Sequence, residues 1–138
     1  MLYFAYGSNL NLEQMEFRCP MAVPKKAIAL AGYRLVFRRY ADIEPFTGEI
    51  VHGGLWDITE DCEEALDRYE GVSHDFYRKR YFKYDGEKVL FYQMTDTDIQ
   101  WPSFDYAKTI EQGYKDFGLP LNFLYKAIKQ SLAAKVPA

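Results

Sequence analysis

The sequence has few of the residues that build metal centres and disulfide frameworks. Its 138 residues include two cysteines, Cys19 and Cys62, and two histidines, His52 and His74. The histidines are too far apart to suggest a metal pair, and two cysteines are too few for a disulfide framework. No local signature pairs a cysteine with a histidine for catalysis. We therefore expect no metal site and two reduced thiols.

Long blocks of charge and long apolar runs are also missing. Lys and Arg number 17 against 20 for Asp and Glu, giving a net charge of −3, and the basic stretches are the short FRR and YRKR. This balance argues against a nucleic acid partner. No apolar run reaches the roughly 20 residues of a membrane span, and no leader-like segment precedes the first strand. We expect a cytoplasmic protein with no membrane partner; the oligomeric state is open.

Aromatic residues, by contrast, are abundant. They make up 17% of the chain, with 12 Tyr and 10 Phe. So many rings with polar edges predict a core or a pocket with aromatic walls. The length suits a single domain over residues 1–138, and no repeat, low-complexity tract or linker divides the chain.

Hydrophobic periodicity and turn residues predict a mixed, mainly antiparallel α+β domain. In chain order, we expect a strand in LYFAY, a short helix in NLEQMEFR, a strand pair or one bent strand in KAIALAGYRLVFRRY, and a strand in GEIVHGGLWDI. Gly53-Gly54 within that strand suggests a bulge or a close backbone contact. There follow a helix in EDCEEALDRYE between Thr59 and Gly71, a hairpin around Asp85-Gly86, and two helices broken at Gly118 that run to Lys135.

The segment YFAYGSN, residues 3–9, leads from a strand through a glycine turn toward a helix. Such a turn leaves backbone N–H groups unpaired, which favours binding of an anion or of a developing oxyanion. The alternative is an ordinary structural turn in which Ser8, Asn9 or Asn11 serves as a cap. The segment matches neither phosphate-loop pattern, and it lacks the G-x-S-x-G elbow, which weakens Ser8 as a nucleophile.

Glu70 is the second candidate, at the end of the helix in LDRYEGV. It follows Leu66 by four residues, so it turns toward the apolar side of the helix. Burial and the negative end of the helix dipole would both raise its pKa, which suits proton transfer near neutral pH. The alternative is a helix-end glutamate in water, because charged residues are mostly exposed.

Taken together, the segments resemble the γ-glutamylcyclotransferase (AIG2-like) family over nearly the whole chain. The resemblance rests, in order, on YFAYGSNLNLEQM, GYRLVF, HGGLWDI, LDRYEGV followed by Tyr77, FYQM and SFDYAKTIEQGYKDFGLPLNFL. It implies a small mixed β-barrel flanked by helices, with a pocket at the YGSN turn. It also implies a cofactor-free reaction in which the α-amine of a γ-glutamyl group attacks its own γ-carbonyl, releasing 5-oxoproline and an amine or amino acid.

The resemblance assigns the general acid and base to Glu70. It assigns substrate binding to the turn segment and to three tyrosines that are individually unremarkable in sequence: Tyr3, Phe4, Ala5, Tyr6, Gly7, Ser8 and Asn9, with Tyr77, Tyr92 and Tyr106. The region between Pro24 and Trp56 is shorter than in larger members of the family, so we expect part of the wall around the leaving group to be short or open.

Two alternatives to this enzyme remain at the level of sequence. One is a binding module without catalysis for a small carboxylated or γ-glutamyl-like ligand. The other is an amide hydrolase that uses Ser8 and releases glutamate. Neither the sequence nor the resemblance identifies the leaving group, the pathway, or which backbone donors bind the oxyanion rather than the α-carboxylate.

Overall fold

The computed structural model describes residues 1–134. Residues 135–138 belong to the predicted domain, and Lys135 to the last predicted helix, but they lie outside the described residues. The elements, in chain order, are β1 (Leu2–Ala5), α1 (Leu12–Arg18), β2 (Val23–Arg38), β3 (Tyr40–Asp57), α2 (Glu60–Tyr69), β4 (Tyr77–Tyr84), β5 (Glu87–Met94), α3 (Phe104–Phe117) and α4 (Leu121–Ala133), with short 3-10 turns at Ser8–Leu10 and Val72–His74.

The five strands form one sheet in the order β2-β3-β1-β5-β4. Strand β1 is central: it pairs antiparallel with β3 and parallel with β5, and the other two pairings are antiparallel. The predicted α+β class with a mainly antiparallel sheet is confirmed. The sheet is not closed, however, because the edge strands β2 and β4 do not pair with each other within the described residues. The small mixed barrel implied by the resemblance is therefore an open, mixed sheet in this structure.

The two long strands β2 and β3 form one hairpin. Of the two alternatives for the segment around Gly32, the bent single strand is correct: Gly32 has φ 83° and lies at a register shift between Ala31 and Tyr33. Strand β3 begins at Tyr40, so the charged segment RRYADIEPFTGE lies within the hairpin rather than in a loop. We call residues 38–41, where the chain reverses, the hairpin tip.

The glycine pair in β3 is a point of close packing and not a bulge. The register of β3 with its neighbours is unbroken at Gly53 and Gly54. A Cβ atom at Gly53 would lie 2.4 Å from the carbonyl oxygen of Ala5, and one at Gly54 would lie 2.4 Å from the ring of Phe117. Glycine at both positions therefore lets β1 and α3 pack directly on β3.

The predicted helices are present, and one of the three apolar side chains of α1 is buried. Met15 is buried, whereas Leu12 is 39% and Phe17 is 92% exposed. Met15 is thus the residue through which this seven-residue helix packs on the core. Asn11 caps it by accepting the N–H of Gln14 at 3.0 Å. No helix in residues 1–134 has both the length and the apolar character required to cross a membrane.

Candidate active site

Helix α2 delivers Glu70 to a cavity. Its first turn is capped by Thr59, whose hydroxyl accepts the N–H of Cys62 at 3.1 Å, as predicted. At its other end the N–H of Glu70 donates to the carbonyl of Leu66 at 2.8 Å, and Gly71 then ends the helix with φ 65°. Leu66 is fully buried, and Glu70 follows it by one turn on the same face of the helix, so Glu70 is also directed toward the interior.

The cavity has a volume of about 560 Å³. Its walls come from β1 and the turn after it, the hairpin tip, the end of α2, β4, β5 and α3. Nine of the residues assigned from the sequence line it: Tyr3, Tyr6, Gly7, Ser8, Asn9, Glu70, Tyr77, Tyr92 and Tyr106. The fold therefore brings together residues that are up to about a hundred positions apart in the chain.

Phe4 and Ala5 do not line the cavity, which corrects their assignment to the substrate site. The ring of Phe4 is fully buried and packs edge-on against Phe82, with ring centroids 5.6 Å apart. Ala5 is buried in the ladder, where it pairs with Gly54 of β3. Successive strand side chains face opposite sides of a sheet, so Tyr3 and Phe4 cannot both reach the cavity.

The turn after β1 supplies the backbone donors that its sequence predicts. The carbonyls of Gly7 and Ser8 accept the N–H groups of Leu10 and Asn11, each at 3.0 Å. The N–H groups of Gly7, Ser8 and Asn9 have no acceptor in the described part of the chain. Unpaired backbone donors at a cavity wall are of the kind that binds a carboxylate or an oxyanion in other proteins.

Three tyrosine hydroxyls of the cavity are committed as donors to the protein itself. Tyr6 donates to the carbonyl of Tyr92, Tyr92 donates to a carboxylate oxygen of Asp67 at 2.7 Å, and Tyr77 donates to the carbonyl of Ala41 at 2.8 Å. These bonds tie the turn after β1 to β5, β5 to α2, and β4 to the hairpin tip. Their main effect is to hold the cavity walls in place.

Two other tyrosines keep their hydroxyl protons available. Tyr106 accepts the N–H of Ala41 at 3.0 Å, and Tyr3 accepts an N–H from the side chain of Asn9 at 2.9 Å. A hydroxyl that accepts one bond still has its own proton to donate. Burial raises the pKa of both side chains, so both stay protonated at physiological pH.

The electrostatic setting of Glu70 suits proton transfer. Burial raises its pKa to about 7, and the positive charge of Arg18 opposes that rise. No hydrogen bond or ion pair engages its carboxylate within residues 1–134. The sequence predicts a raised pKa for Glu70 from burial and the helix dipole, and burial is the cause that raises it in the structure. Near neutral pH this carboxyl can both accept and donate a proton.

The hairpin tip is a wall that sequence reasoning missed. Its four residues line the cavity, although this segment was expected to leave the wall short. Arg38 lies at its base and donates to Asp42 at 2.8 Å, to Glu44 at 2.7 Å and to the carbonyl of Thr97 at 2.8 Å. The alternating charges in RRYADIE were the one available signal for this network.

The cysteines and histidines lie apart from the cavity lining. Cys19 and Cys62 are both buried, and the Sγ of Cys19 lies 3.6 Å from the carbonyl oxygen of Cys62. No group of three or more histidine, cysteine or acidic side chains in the described residues is arranged to bind a metal ion.

Comparison with known proteins gives one consistent result. A family model described as "Gamma-glutamyl cyclotransferase, AIG2-like" matches residues 3–112. The gamma-glutamylcyclotransferases of Bos taurus and Homo sapiens are 32% and 31% identical to this chain, over 91% of it and 76% of each relative. A solved structure named gamma-glutamyl cyclotransferase superposes with a TM-score of 0.80 at 30% identity, covering 91% of this chain and 85% of the other. The crystal structure of YkqA from Bacillus subtilis, at 22% identity and a TM-score of 0.77 over 96% of this chain and 54% of the other, shares the fold.

Proposed function

Because the chain belongs to the gamma-glutamyl cyclotransferase, AIG2-like, family, we propose that it releases 5-oxoproline and an amine or amino acid from a γ-glutamyl compound. The observation that carries this proposal is the shared cavity: it is lined by Glu70, whose pKa burial raises to about 7, and by Gly7, Ser8 and Asn9, whose backbone N–H groups are unpaired in the described residues. The reaction is catalytic and needs no nucleophile from the enzyme.

The nucleophile and the electrophile belong to one substrate molecule. The α-amine forms a bond to the γ-carbon, and the bond from that carbon to the departing nitrogen breaks. Folding the γ-glutamyl chain back on itself in a shaped cavity supplies an effective molarity on the order of 10⁵ M or more. The aromatic walls, braced by the hydroxyl bonds of Tyr6, Tyr77 and Tyr92, support this role.

Glu70 moves the protons. The α-ammonium of the substrate is mostly protonated at neutral pH and must lose a proton before it attacks, and the departing nitrogen must gain one. The ionised Glu70 takes the first proton and returns it to the departing nitrogen, so the carboxyl ends the cycle as it began. A pKa near 7 supports both directions of transfer.

The turn N–H groups of Gly7, Ser8 and Asn9 bind negative charge, either on the γ-carbonyl oxygen as it develops or on the α-carboxylate. The hydroxyl protons of Tyr3 and Tyr106, which also line the cavity, supply further donors. Ser8 acts through its backbone, because no side-chain base contacts its hydroxyl in the described residues.

The test is an assay of 5-oxoproline with the pure protein and a panel of γ-glutamyl amino acids and amines. Glu70→Gln is expected to lower kcat by about 10²- to 10⁴-fold, the usual contribution of general acid–base catalysis, with the fold and substrate binding retained. Glu64→Gln is the matched control, because Glu64 is exposed on the same helix and is expected to be fully active.

Two outcomes would contradict the proposed reaction, and a third would contradict the role of Glu70 alone. Binding of γ-glutamyl compounds without turnover would indicate a binding module, and release of glutamate would indicate a hydrolase. A fully active Glu70→Gln variant would remove Glu70 from the mechanism while leaving the reaction itself in place.

A further inference from the structure

Arg18 is the last residue of α1 and does not line the cavity, yet it contacts two of the residues that do. Its Nη1 donates to the side-chain oxygen of Asn9. Its Nη2 donates to the side-chain oxygen of Gln14 at 3.0 Å and to the hydroxyl of Tyr69 at 2.6 Å, and its guanidinium carbon lies 3.7 Å from the centre of the Tyr69 ring. These contacts fix the guanidinium group between α1, the YGSN turn and the end of α2.

The contact with Arg18 determines which way the amide of Asn9 points. A guanidinium group has donors and no acceptors, so it must face the oxygen of the amide. The nitrogen of the same amide then faces the hydroxyl of Tyr3 and donates to it at 2.9 Å. Since Asn9 is buried, neither end of its amide has bulk water as an alternative partner.

This orientation has a consequence for Tyr3. With one lone pair occupied by the N–H of Asn9, the hydroxyl of Tyr3 directs its proton elsewhere. Tyr3 lines the cavity together with Glu70, and the charge of Glu70 acts on Tyr3 strongly enough to raise its pKa further, after burial. The available direction for the Tyr3 proton is therefore the cavity that holds Glu70.

We propose that Arg18 is a positioning residue that acts in two ways: through Asn9 it turns the hydroxyl proton of Tyr3 into the cavity, and its own charge stabilises the ionised form of Glu70. This inference rests on the proposed function, because Glu70 serves as a base only when it is ionised. The role is distinct from catalysis, since Arg18 does not touch the cavity itself.

Most of the titratable groups around Glu70 are neutral or already paired with other groups. Five tyrosines face the carboxyl from the other elements, and all have raised pKa values, so they are neutral near pH 7: Tyr3, Tyr6, Tyr77, Tyr92 and Tyr106. Tyr69 of α2 is bonded to Arg18, and Arg38 is paired with Asp42. Arg39 and Asp96 complete the charged residues of the cavity wall. Arg18 is the charge that lowers the pKa of Glu70 against the effect of burial.

Two substitutions separate the two actions. Arg18→Gln removes both the positive charge and the several N–H donors of the guanidinium group. Without the charge, the acid limb, where kcat/KM rises as Glu70 ionises, is expected to move to higher pH by about half a unit or more. Without the donors, kcat on the high-pH plateau is expected to fall about 10-fold. Arg18→Lys keeps the charge but cannot bridge Asn9, Gln14 and Tyr69 together. Arg18→Lys is therefore expected to keep the acid limb at the wild-type pH but to have a lower kcat on the high-pH plateau.

A double-mutant cycle tests the connection to Tyr3. If Arg18 acts on the plateau through the Tyr3 proton, Arg18→Gln should lower plateau kcat less than 2-fold when Tyr3→Phe is already present. Arg80→Gln is the matched control, since Arg80 is an exposed arginine on β4 and its loss changes the net charge equally. That control is expected to leave the limb, kcat and Tm unchanged.

The pKa of Glu70, measured by ¹³C NMR of its carboxyl in the wild type and in Arg18→Gln, provides a readout that needs no turnover. An unchanged pKa and plateau would overturn the inference. The inference would also be overturned if Arg18 proved merely structural. In that case Arg18→Gln would lower Tm and activity together, would leave the acid limb of the kcat/KM profile in place, and would lower plateau kcat as much in the Tyr3→Phe background as in the wild type. An inactive wild type in which Arg18→Gln still raises the pKa of Glu70 would count against the proposed function and support the electrostatic action of Arg18.

Discussion

At the scale of single residues, Glu70 is a carboxyl group whose ionisation opposes folding. Its pKa rises from about 4.5 to about 7 because burial removes water from the charged form. The folded protein therefore holds this proton between about pH 4.5 and 7, where the unfolded chain has lost it. Stability is greater below that window, and it is lost as the pH rises through it.

This linkage predicts that Glu70→Gln stabilises the protein at alkaline pH. A shift from about 4.5 to about 7 corresponds to on the order of 3 kcal/mol in the free energy of unfolding, an upper limit because the side chain is only partly buried. Relative to the wild type, Glu70→Gln should gain stability between pH 5 and pH 8. Urea unfolding of both proteins at the two pH values measures the difference. Parallel pH dependence in the two proteins would contradict the burial of a carboxylate at this position.

How far this site could be predicted from sequence differs from residue to residue. The position of Glu70 follows from the spacing to Leu66 and from the Thr59 cap, which are local signals. The role of Arg18 does not, because it depends on the packing of α1 against the end of α2. Phe4 and Ala5 are assigned to the substrate site together with their neighbours; alternation along β1 turns Phe4 away from the side of Tyr3, and Ala5 pairs with Gly54 in the ladder and does not line the cavity.

At the scale of elements, the turn after β1 acts through its backbone. A Cβ atom at Gly7 would lie 3.0 Å from the Cβ of Ala41 and 3.5 Å from the hydroxyl of Tyr106. Gly7→Val should therefore displace the hairpin tip and lower kcat/KM by at least about 10-fold, whereas Ser8→Ala, which keeps every backbone donor, should stay within about 3-fold of the wild type. Steady-state kinetics with Tm measurements compare the two. A Ser8→Ala variant that is folded and binds substrate but is inactive would indicate instead that Ser8 is the nucleophile.

The β2–β3 hairpin is held at its tip by a buried ion pair. Arg38 and Asp42 are both buried, and Nε of Arg38 lies 2.8 Å from Oδ2 of Asp42. Asp42 also accepts the N–H of Met94 at 2.9 Å. Asp42→Ala should cost about 2–3 kcal/mol in the free energy of unfolding, because it removes one of the two carboxylates paired with Arg38 and the acceptor of the Met94 N–H. Arg34→Ala removes a half-exposed pair with Glu44 on the same hairpin and should cost less than about 1 kcal/mol. Equal costs in urea unfolding would contradict this difference in burial.

The two hairpins, β4–β5 and β2–β3, show which parts of the fold local signals predict. The Asp85-Gly86 turn was predictable because both residues adopt positive φ in a two-residue hairpin. Gly32 left two alternatives, since a glycine can either end a strand or bend it, and pairing with β3 decides between them. The extension of β3 back to Tyr40 depends on the same long-range pairing. Because the segment is rich in polar residues, its sequence alone did not indicate a strand.

At the scale of the whole molecule, the cavity exists because the sheet brings distant segments together. Strand β1 lies at its centre, so the turn that follows it meets the hairpin tip, the end of α2 and the start of α3. The fold class could be predicted from the pattern of strands and helices. The closure of the sheet could not, because it depends on whether the edge strands β2 and β4 meet, and they do not pair in the described residues.

The central claim is that the substrate's own amine, and not water or Ser8, attacks the γ-carbonyl. The most direct test is turnover of a γ-glutamyl compound in H₂¹⁸O, with mass spectrometry of the released acid. The account predicts 5-oxoproline without ¹⁸O, because neither bond formation nor bond cleavage involves water. Glutamate carrying one ¹⁸O in its γ-carboxylate would contradict it.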